Sequence, residues 1–414
     1  MKLVEKHIFN KSSKRFKSLD EICFLSKNLY NASLYEIRKE FEISGKWIRY
    51  SNLEKKLRHE KQIDYISLPN NTSQQILMIL DNNLKAFFKA LKEFKKNKTK
   101  FTGCPKFPQF KHKSRGRNIV IFTSNQFKLK DKYIYFPKKS GLEPIKTKIL
   151  NYKIQQVRII PLNNQYNIEI VYNFNEKVKQ LNDEYLSIDL GLNNLATCVS
   201  TKIDSFIING KPIKSINQYY NKKLAKYKSK LPFFINKKGI KQQKNNSNKI
   251  VKLTNKRNNK INDYIHKSSK KIVDYCKENH IDNVVLGKNI GWKNEIKLGK
   301  KINQNFVQIS FNIFESNLTY KLQKEGLNIK VREESYTSKC SSIDLESIQK
   351  QNIYLGKRTK RGLFKSNKNV LINADVNGSL NILRKEIGDN FMLNKILPNI
   401  GRVVSPTKLK FDFN

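Results

Sequence analysis

Two aspartates, Asp189 and Asp375, lie beside apolar runs in motifs that are far apart in the chain. The first motif, LSIDLGLNNLA at 186–196, has the apolar pattern of a buried strand followed by a glycine. The second, LINADVNGSLNIL at 371–383, predicts a helix beginning at Asp375, because its later apolar residues recur at helical spacing. Two carboxylates brought together from distant sequence can hold divalent metals over a phosphodiester. The pair is therefore a candidate metal site.

The rest of the chain is strongly basic. Its 414 residues carry 82 Lys and Arg against 34 Asp and Glu, a formal net charge of +48. Like charges repel one another in the folded state, and a polyanionic partner relieves that repulsion. A membrane surface is the rival partner, but the sequence shows no basic amphipathic helix with a clean apolar face. The composition therefore predicts that the protein binds nucleic acid.

The sequence contains no apolar run of the ~18 residues needed to cross a bilayer. Its first residues also lack the apolar core of a signal peptide. We therefore expect a cytoplasmic, nucleoid-associated protein of two or three domains, without a membrane partner. The five cysteines are scattered singly, with no CxxC pair, which indicates neither a disulfide framework nor a zinc site.

Residues 18–98 read as helical, since apolar side chains recur there at threes and fours. The polar face of the second long helix includes Lys85 and Lys89, which either contact phosphates or form a solvated face. The composition changes at Thr99. Alternating β-branched and aromatic runs between 101 and 178 predict short antiparallel strands in a small barrel or sandwich.

The segment CPKFPQFKHKSRGRN mixes aromatic and basic side chains. This mixture suits base stacking combined with phosphate contact, although a charged barrel loop would look much the same. The candidate nucleic-acid-binding residues of this segment are Lys106, Phe107, Lys111, Arg115 and Arg117.

From Tyr185 onward, predicted strands alternate with helices, which is typical of an α/β domain. Between Asp204 and Asp263 the chain has sixteen Lys and Arg and no acidic residue. A solvated helical pair would normally mix charges of both signs, so this basic helical insertion favours nucleic-acid contact. Its candidate contact residues are Lys222, Lys226, Lys256 and Arg257.

One aspartate on a strand and one on a helix of such a sheet fit the RNase H-like nucleases, in which two metal ions activate water and stabilise the leaving oxygen.

Several motifs in order resemble TnpB, the OrfB protein of insertion sequences and a relative of type V CRISPR nucleases and Fanzor proteins. LPNNTSQQILMILDNNLKAFFKAL resembles the helical recognition region, and CPKFPQFK the entry into the wedge barrel. SIDLGLNNLAT and INADVNGSLNI resemble the first and third RuvC motifs, and YTSKCS the segment before the zinc finger. The resemblance implies an RNA-guided DNA endonuclease that uses two Mg²⁺ ions. It also implies a guide RNA from the transposon end, a double-stranded DNA target beside a transposon-adjacent motif, and a separate transposase encoded nearby.

The resemblance also implies a multidomain α+β fold with a helical recognition lobe, a wedge β-barrel and a RuvC-like nuclease domain. The expected wedge barrel comprises 1–17 and 99–180, with the recognition domain at 18–98 between them. The nuclease domain is expected at 181–336, with the basic insertion at 211–275, and its C-terminal helix at 369–395. A degenerate zinc finger at 337–368 and a tail at 396–414 complete the prediction.

The chain departs from the family pattern in three places. The second RuvC motif normally ends in Glu, but VVLGKNIGW has Gly287 there. The finger keeps Cys340 alone, so no zinc is expected, and the tail after Arg384 shows no motif. A missing carboxylate would remove a metal ligand and most of the activity.

VREESYTSK offers Glu333 and Glu334 at the end of the following strand, which should lie parallel to the strand that ends at Gly287. Strands about 4.8 Å apart would let one carboxylate reach the vacated position. Some relatives resemble this chain in carrying a glutamate two residues before the Tyr of YTSK, which implies Asp189, Glu334 and Asp375 as the metal-binding catalytic set. A solvent-exposed acidic pair is the alternative. A nuclease-inactive RNA-guided DNA-binding protein and a guide-free nucleic-acid-binding protein also stay open.

Overall fold

The computed structural model describes residues 1–162, 164–176, 179–235, 239–289 and 311–409. The chain divides into two compact units, Met1–Asn175 and Glu176–Asn414. Each unit combines helices with β-sheets, so the protein is a multidomain α+β protein, as the sequence predicts. In the described ranges no helix is both long enough and apolar enough to cross a bilayer.

The helices of the first unit lie where helical periodicity was predicted. They are α1 (Phe16–Ser44), α2 (Tyr50–His59), α3 (Ile63–Ile66) and α4 (Asn70–Lys96). The two long helices pack together through apolar side chains spaced three or four residues apart, including Leu19 and Ile22 on α1 and Leu80 and Leu84 on α4.

The strands of the first unit form two antiparallel sheets. They are β1 (Lys2–Asn10), β2 (Val120–Thr123), β3 (Lys128–Lys130), β4 (Tyr133–Tyr135), β5 (Ile145–Lys146), β6 (Ile154–Leu162) and β7 (Gln165–Asn173). One sheet has the order β1-β7-β6-β2 and the other β3-β4-β5. Alternating residues such as Val157 and Ile159 face the core, as the strand patterns predict. The closed wedge barrel stays a prediction.

The second unit is built on a six-stranded mixed sheet. The strands of the whole second unit are β8 (Tyr185–Leu190), β9 (Asn194–Ser200), β10 (Ser205–Asn209), β11 (Phe233–Ile235), β12 (Lys241–Gln243), β13 (Asn283–Gly287), β14 (Asn328–Arg332), β15 (Lys357–Lys360), β16 (Leu363–Lys365), β17 (Leu371–Asn373) and β18 (Thr407–Leu409). The large sheet has the order β14-β13-β8-β9-β10-β18. Strands β8, β9 and β10 run antiparallel, whereas β13 is parallel to β8 and β14 to β13. A hairpin, β11-β12, and a small sheet, β15-β16-β17, stand apart from it.

Helices cover both faces of this sheet. They are α5 (Lys211–Ser229), α6 (Asn248–Glu278), α7 (Phe311–Lys324), α8 (Ala374–Ile387) and α9 (Ile400–Val403). Leu186 and Ile188 of β8 share a core with α6 and α7. On the opposite face the Ser187 and Ser379 hydroxyls of β8 and α8 are 2.8 Å apart. Strand β8 is therefore covered on both faces, with apolar Leu186 and Ile188 on one face and Ser187 on the other.

Candidate active site

Asp189 lies near the end of β8, in the middle of the large sheet. Alternation along the strand directs Ile188 toward α6 and α7 and Asp189 toward α8. A Cβ atom at Gly378 of α8 would lie only 2.7 Å from Asp189 Oδ2. The Asp189 carboxylate therefore approaches the helix at a place where only glycine leaves room.

Asp375 is the second residue of α8. The side chain of Asn373 caps this helix, since its Oδ1 accepts from the backbone N–H groups of Asp375 at 3.0 Å and Val376 at 3.3 Å. A carboxylate in the first helical turn is stabilised by the helix dipole. Asn194, the first residue of β9, donates from Nδ2 to Asp375 Oδ2 at 2.6 Å. The cap, the dipole and Asn194 together hold Asp375 at the same edge as Asp189.

Glu334 follows β14 and lies beside the end of β13. The two strands are parallel neighbours, as predicted, with Gly287 paired to Arg332. A Cβ atom at Gly287 would lie 3.0 Å from Glu334 Oε2 and would overlap the side chain of Ile382. The space that a side chain at 287 would enter is therefore taken by the Glu334 carboxylate and by Ile382.

The Glu334 carboxylate is only partly satisfied. Asn289 donates from Nδ2 to Glu334 Oε1 at 3.1 Å, while Glu334 Oε2 is buried and has no hydrogen-bond partner among the residues that the structure describes. Within the same described ranges, Asn289 Oδ1 is buried and without a partner as well. Burial, with the charge of Glu333 adding to it, raises the pKa of Glu334 to about 7. A buried carboxylate oxygen in this condition is costly unless a proton or a cation binds it.

Glu333 points the other way. Its side chain is 53% exposed and lies 3.7 Å from Lys385 Nζ. The Ser335 hydroxyl donates to Glu333, and this hydrogen bond is the main reason that the pKa of Glu333 is lowered. Of the two adjacent glutamates, Glu334 is the one whose charge acts on Asp189.

The carboxylates share one electrostatic neighbourhood. Burial raises the pKa of Asp189 well above its ordinary value, and the charges of Glu334 and Asp375 raise it further. The Arg358 guanidinium on β15 acts in the opposite direction. The pKa of Asp189 therefore responds to three charged side chains, those of Glu334, Asp375 and Arg358, which come from separate segments of the chain.

Among the described residues, no group of three His, Cys, Asp or Glu side chains is close enough to hold one metal ion. Asp375 and Glu334 each bond an asparagine amide. Carboxylate oxygens are nevertheless the donors that magnesium prefers. The unpartnered, buried Oε2 of Glu334 and the repulsion felt by Asp189 both fit a cation bound at this edge.

The expected degenerate finger is held together by carboxylates. Glu346 accepts from the backbone N–H groups of Ser341 at 2.7 Å and Leu355 at 2.9 Å. Asp344 accepts from the Ser341 hydroxyl and, at 2.7 Å, from the backbone N–H of Asn367. Cys340 is buried, with its Sγ near backbone carbonyl oxygens. Two carboxylates thus connect Ser341 with the later segments that contain Leu355 and Asn367.

The predicted nucleic-acid-binding residues of the first unit differ in their surroundings. The Phe107 ring packs against Phe41, Phe87 and Phe88, so much of its area is used in the core. Lys106 and Lys89 are exposed. Lys85 forms an ion pair of 2.7 Å with Asp81.

Further along the same segment, Arg117 donates to both oxygens of Asp20, at 2.9 and 2.7 Å, so its charge is already compensated. Lys111 lies with its ammonium 5.1 Å from the Tyr30 ring centroid. Arg115 is exposed and contacts His112. Contact of these residues with nucleic acid stays a prediction.

In the second unit the predicted contact residues lie on two helices that pack together, α5 and α6. Lys222 and Lys226 are exposed on α5, and Lys256 is exposed on α6. Arg257 is half-buried, donates to Asn217 Oδ1 at 2.8 Å and lies 5.5 Å from the Tyr220 ring centroid. The structure therefore brings the basic stretch together as a helical pair.

The sequence reasoning missed three polar residues at the carboxylates. Asn194 belongs to the first motif, and its position after the glycine turn is a usable signal. Asn289 is two residues after Gly287, so in extended chain it shares a face with it. Arg358 had no signal, because only the fold of the small sheet brings it near Asp189.

Two protein families match the two parts of the chain that contain the candidate site residues. Residues 167–293, which include Asp189, match the family OrfB_IS605, described as a probable transposase. Residues 311–382, which include Glu334 and Asp375, match the Cas12f1-like TNB domain. No curated protein matches the chain.

Similar solved structures include a Cas12f1 complex with sgRNA and target DNA, at 16% identity and a TM-score of 0.38, covering 92% of this chain and 98% of that chain. Another is the mini RNA-guided endonuclease CRISPR-Cas_phi3, at 11% identity and a TM-score of 0.38, covering 98% of this chain and 93% of that chain. The two family matches confirm the resemblance that the motifs indicate: residues 167–293 are similar to the OrfB (TnpB) family, and residues 311–382 are similar to the Cas12f1-like TNB domain.

Proposed function

We propose that the protein is an RNA-guided DNA endonuclease of the TnpB type, with an RNase H-like nuclease domain in its second unit. Three antiparallel strands followed by two parallel ones, in the order β10-β9-β8-β13-β14, support this assignment. The two family matches in this unit support it as well. The guide RNA, the double-stranded DNA target and the neighbouring transposon-adjacent motif follow from the family.

The observation that carries the proposal is the position of Glu334. Its Oε2 lies over Gly287, where the family has a glutamate side chain, and has no hydrogen-bond partner among the described residues. In this proposal a side chain just after β14 supplies the carboxylate that β13 lacks. Asp189, Glu334 and Asp375 then form a set of oxygen donors at the carboxyl end of the parallel strands.

In this proposal the three carboxylates hold two magnesium ions. Bound magnesium would supply a Lewis acid that activates water and neutralises charge as the phosphodiester breaks. Asn289 and Asn194 orient Glu334 and Asp375 through their amide groups. Arg358 supplies a positive charge close to Asp189, suited to a phosphate oxygen.

The basic surfaces would hold the nucleic acids through their backbones, while base pairing between guide and target reads the sequence. Helix α5 and the first half of α6 lie within the stretch of sixteen Lys and Arg without an acidic residue. We also propose that the protein acts in the nucleoid. A separate transposase would carry out strand transfer.

The second candidate is an RNA-guided DNA-binding protein without nuclease activity. One observation favours it: in the described part of the chain, no three potential ligands stand close enough to hold a single ion. Its function would be repression or assistance to the transposon. It shares every nucleic-acid contact with the first candidate and differs only at the carboxylates.

The test is a guide-programmed cleavage assay. The full chain is co-expressed with RNA from the transposon end, the co-purifying RNA is sequenced, and a plasmid library with randomised flanks is incubated with Mg²⁺. We expect a discrete RNA, cleavage beside one short motif, and loss of cleavage with retained DNA binding in Asp189→Ala. If Asp189→Ala still cleaves DNA, Asp189 does not belong to the active site. If the native protein binds a discrete RNA but cleaves no DNA, the second candidate, a binding protein without nuclease activity, is supported instead.

A further inference from the structure

A pocket of about 370 Å³ opens between α5 and α6, away from the three carboxylates. This volume falls in the ~300–1,000 Å³ range of small-ligand sites. Ile216 and Leu253 supply apolar surface in it, and Tyr219 and Tyr220 supply two aromatic rings. A duplex, which hides its bases, offers nothing that would use apolar and aromatic surface in a pocket.

The two tyrosines differ in their freedom. Tyr220 is fixed, with its hydroxyl 3.2 Å from the Thr254 hydroxyl on the facing helix. Tyr219 is 59% exposed, with Lys223 Nζ 5.7 Å from its ring centroid. An exposed ring flanked by a cation is a good stacking surface, since every base has a π-face. Stacking on Tyr219 would leave the base edge pointing at the polar lining.

The rest of the pocket is cationic. Lys256, Arg257 and Lys260 line it from one turn of α6. Like charges one helical turn apart destabilise a helix unless an anion lies between them. Lys256 and Lys260 form no ion pair with any described residue. The nearest acidic residue along α6, Asp263, is 3.0 Å from Lys267 Nζ.

We propose that this pocket binds one unstacked nucleotide of a single strand, with the base on Tyr219 and the flanking phosphates at Lys256 and Lys260. This inference rests on the proposed function for the origin of the strand. An unpaired nucleotide of the guide RNA and one of the displaced DNA strand share this chemistry. Ser215, which also lines the pocket, offers a hydroxyl that a ribose 2′-OH would bond.

The first test maps the contact. Full-length protein freed of RNA is mixed, in EDTA, with single-stranded RNA or DNA about 12 nucleotides long that carries 5-iodouracil, or with the corresponding duplex. After irradiation, we expect the single strands to form adducts on the peptide that contains Tyr219, and the duplex to form none there. Adducts only elsewhere in the chain would overturn the proposal. The yields with RNA and DNA distinguish the two sources.

The second test compares variants. Tyr35 on α1 is 60% exposed, so Tyr35→Leu is a matched control for Tyr219→Leu. We expect Tyr219→Leu to weaken single-strand binding about tenfold, equivalent to ~1.4 kcal/mol, with an unchanged salt slope. Tyr219→Phe should bind normally. Lys256→Gln with Lys260→Gln should lower the salt slope by about 1.4.

Equal affinity of Tyr219→Leu and Tyr35→Leu for the single strands would contradict the proposal, as would an equal loss of duplex binding in Tyr219→Leu. Both tests are made without magnesium and without cleavage. A failure here therefore leaves the nuclease proposal standing, and a failure of the nuclease assay leaves the pocket standing.

Discussion

Glu334 Oε2 lies 3.0 Å from the point where a Cβ atom at Gly287 would be. The two residues come from parallel neighbouring strands, and the side chain of the second takes the space left free by the first. The glycine therefore provides room for the Glu334 carboxylate at the candidate site.

Substitution of Gly287 should therefore destabilise the protein. We expect Gly287→Ala to lower the free energy of unfolding by ~1–3 kcal/mol, since the added methyl group overlaps Ile382. Ile382→Val removes the overlapping atom, so the two substitutions should couple in a double-mutant cycle measured by urea denaturation. Gly401→Ala is the control, because nothing lies within 4 Å of its added Cβ. Strictly additive effects would show that the overlap does not exist.

The raised pKa of Glu334 should make stability depend on pH. Because the folded-state pKa of about 7 exceeds the ordinary value of 4.5, the stabilising effect of the proton is complete below pH 4.5 and is lost as the pH rises through 7. In EDTA, we expect Glu334→Gln to be more stable than the native protein at pH 8, by on the order of 2 kcal/mol, and to lose that advantage at lower pH. Urea denaturation across pH 5 to about 8 measures this difference. A constant difference would contradict the assigned pKa.

The region expected to be a finger should be stable without zinc. Glu346→Gln leaves the backbone N–H of either Ser341 or Leu355 facing an amide NH₂, so we expect a loss of ~1–3 kcal/mol. Glu143→Gln, at an exposed ion pair with Arg15, should cost below ~1 kcal/mol. Chelators should leave the melting temperature unchanged. One zinc per chain, lost together with stability on chelation, would show that a metal holds this region.

Part of this site was predictable from the sequence. Asp189 and Asp375 lie in motifs whose apolar periodicity specifies a strand and a helix, and the parallel pairing of β13 and β14 follows from the alternation of elements. The spacing of neighbouring strands then leads to Glu334. Local patterns were sufficient because each carboxylate lies at the end or the beginning of an element.

Contacts between distant segments were not predictable. The ion pair of Arg117 with Asp20 joins residues 97 positions apart, and no periodicity of the sequence predicts such a contact. The sequence predicts that Phe107 stacks on a base, yet three phenylalanine rings pack around it. Arg358 is close enough to lower the pKa of Asp189 only because of the fold of the small sheet. Such contacts depend on tertiary packing, which a single sequence does not encode locally.

Arg358 should act in cleavage and not in binding. We expect Arg358→Gln to slow cleavage at least tenfold, since a charge beside Asp189 is removed, while target-DNA affinity changes less than about twofold. Lys360→Gln, at the other end of β15, is the matched control. Single-turnover cleavage and filter binding separate the two effects. Equal cleavage rates for both variants would exclude a role for Arg358.

We propose that Glu334 replaces the carboxylate missing at Gly287. The most direct measurement compares Glu334→Gln and Glu333→Gln in magnesium-dependent, guide-programmed cleavage of one plasmid target, with DNA binding measured in parallel. We expect Glu334→Gln to lose at least ~10²-fold in cleavage rate with DNA binding intact, and Glu333→Gln to cleave at the native rate. Native cleavage by Glu334→Gln, or equal loss in both variants, would contradict it.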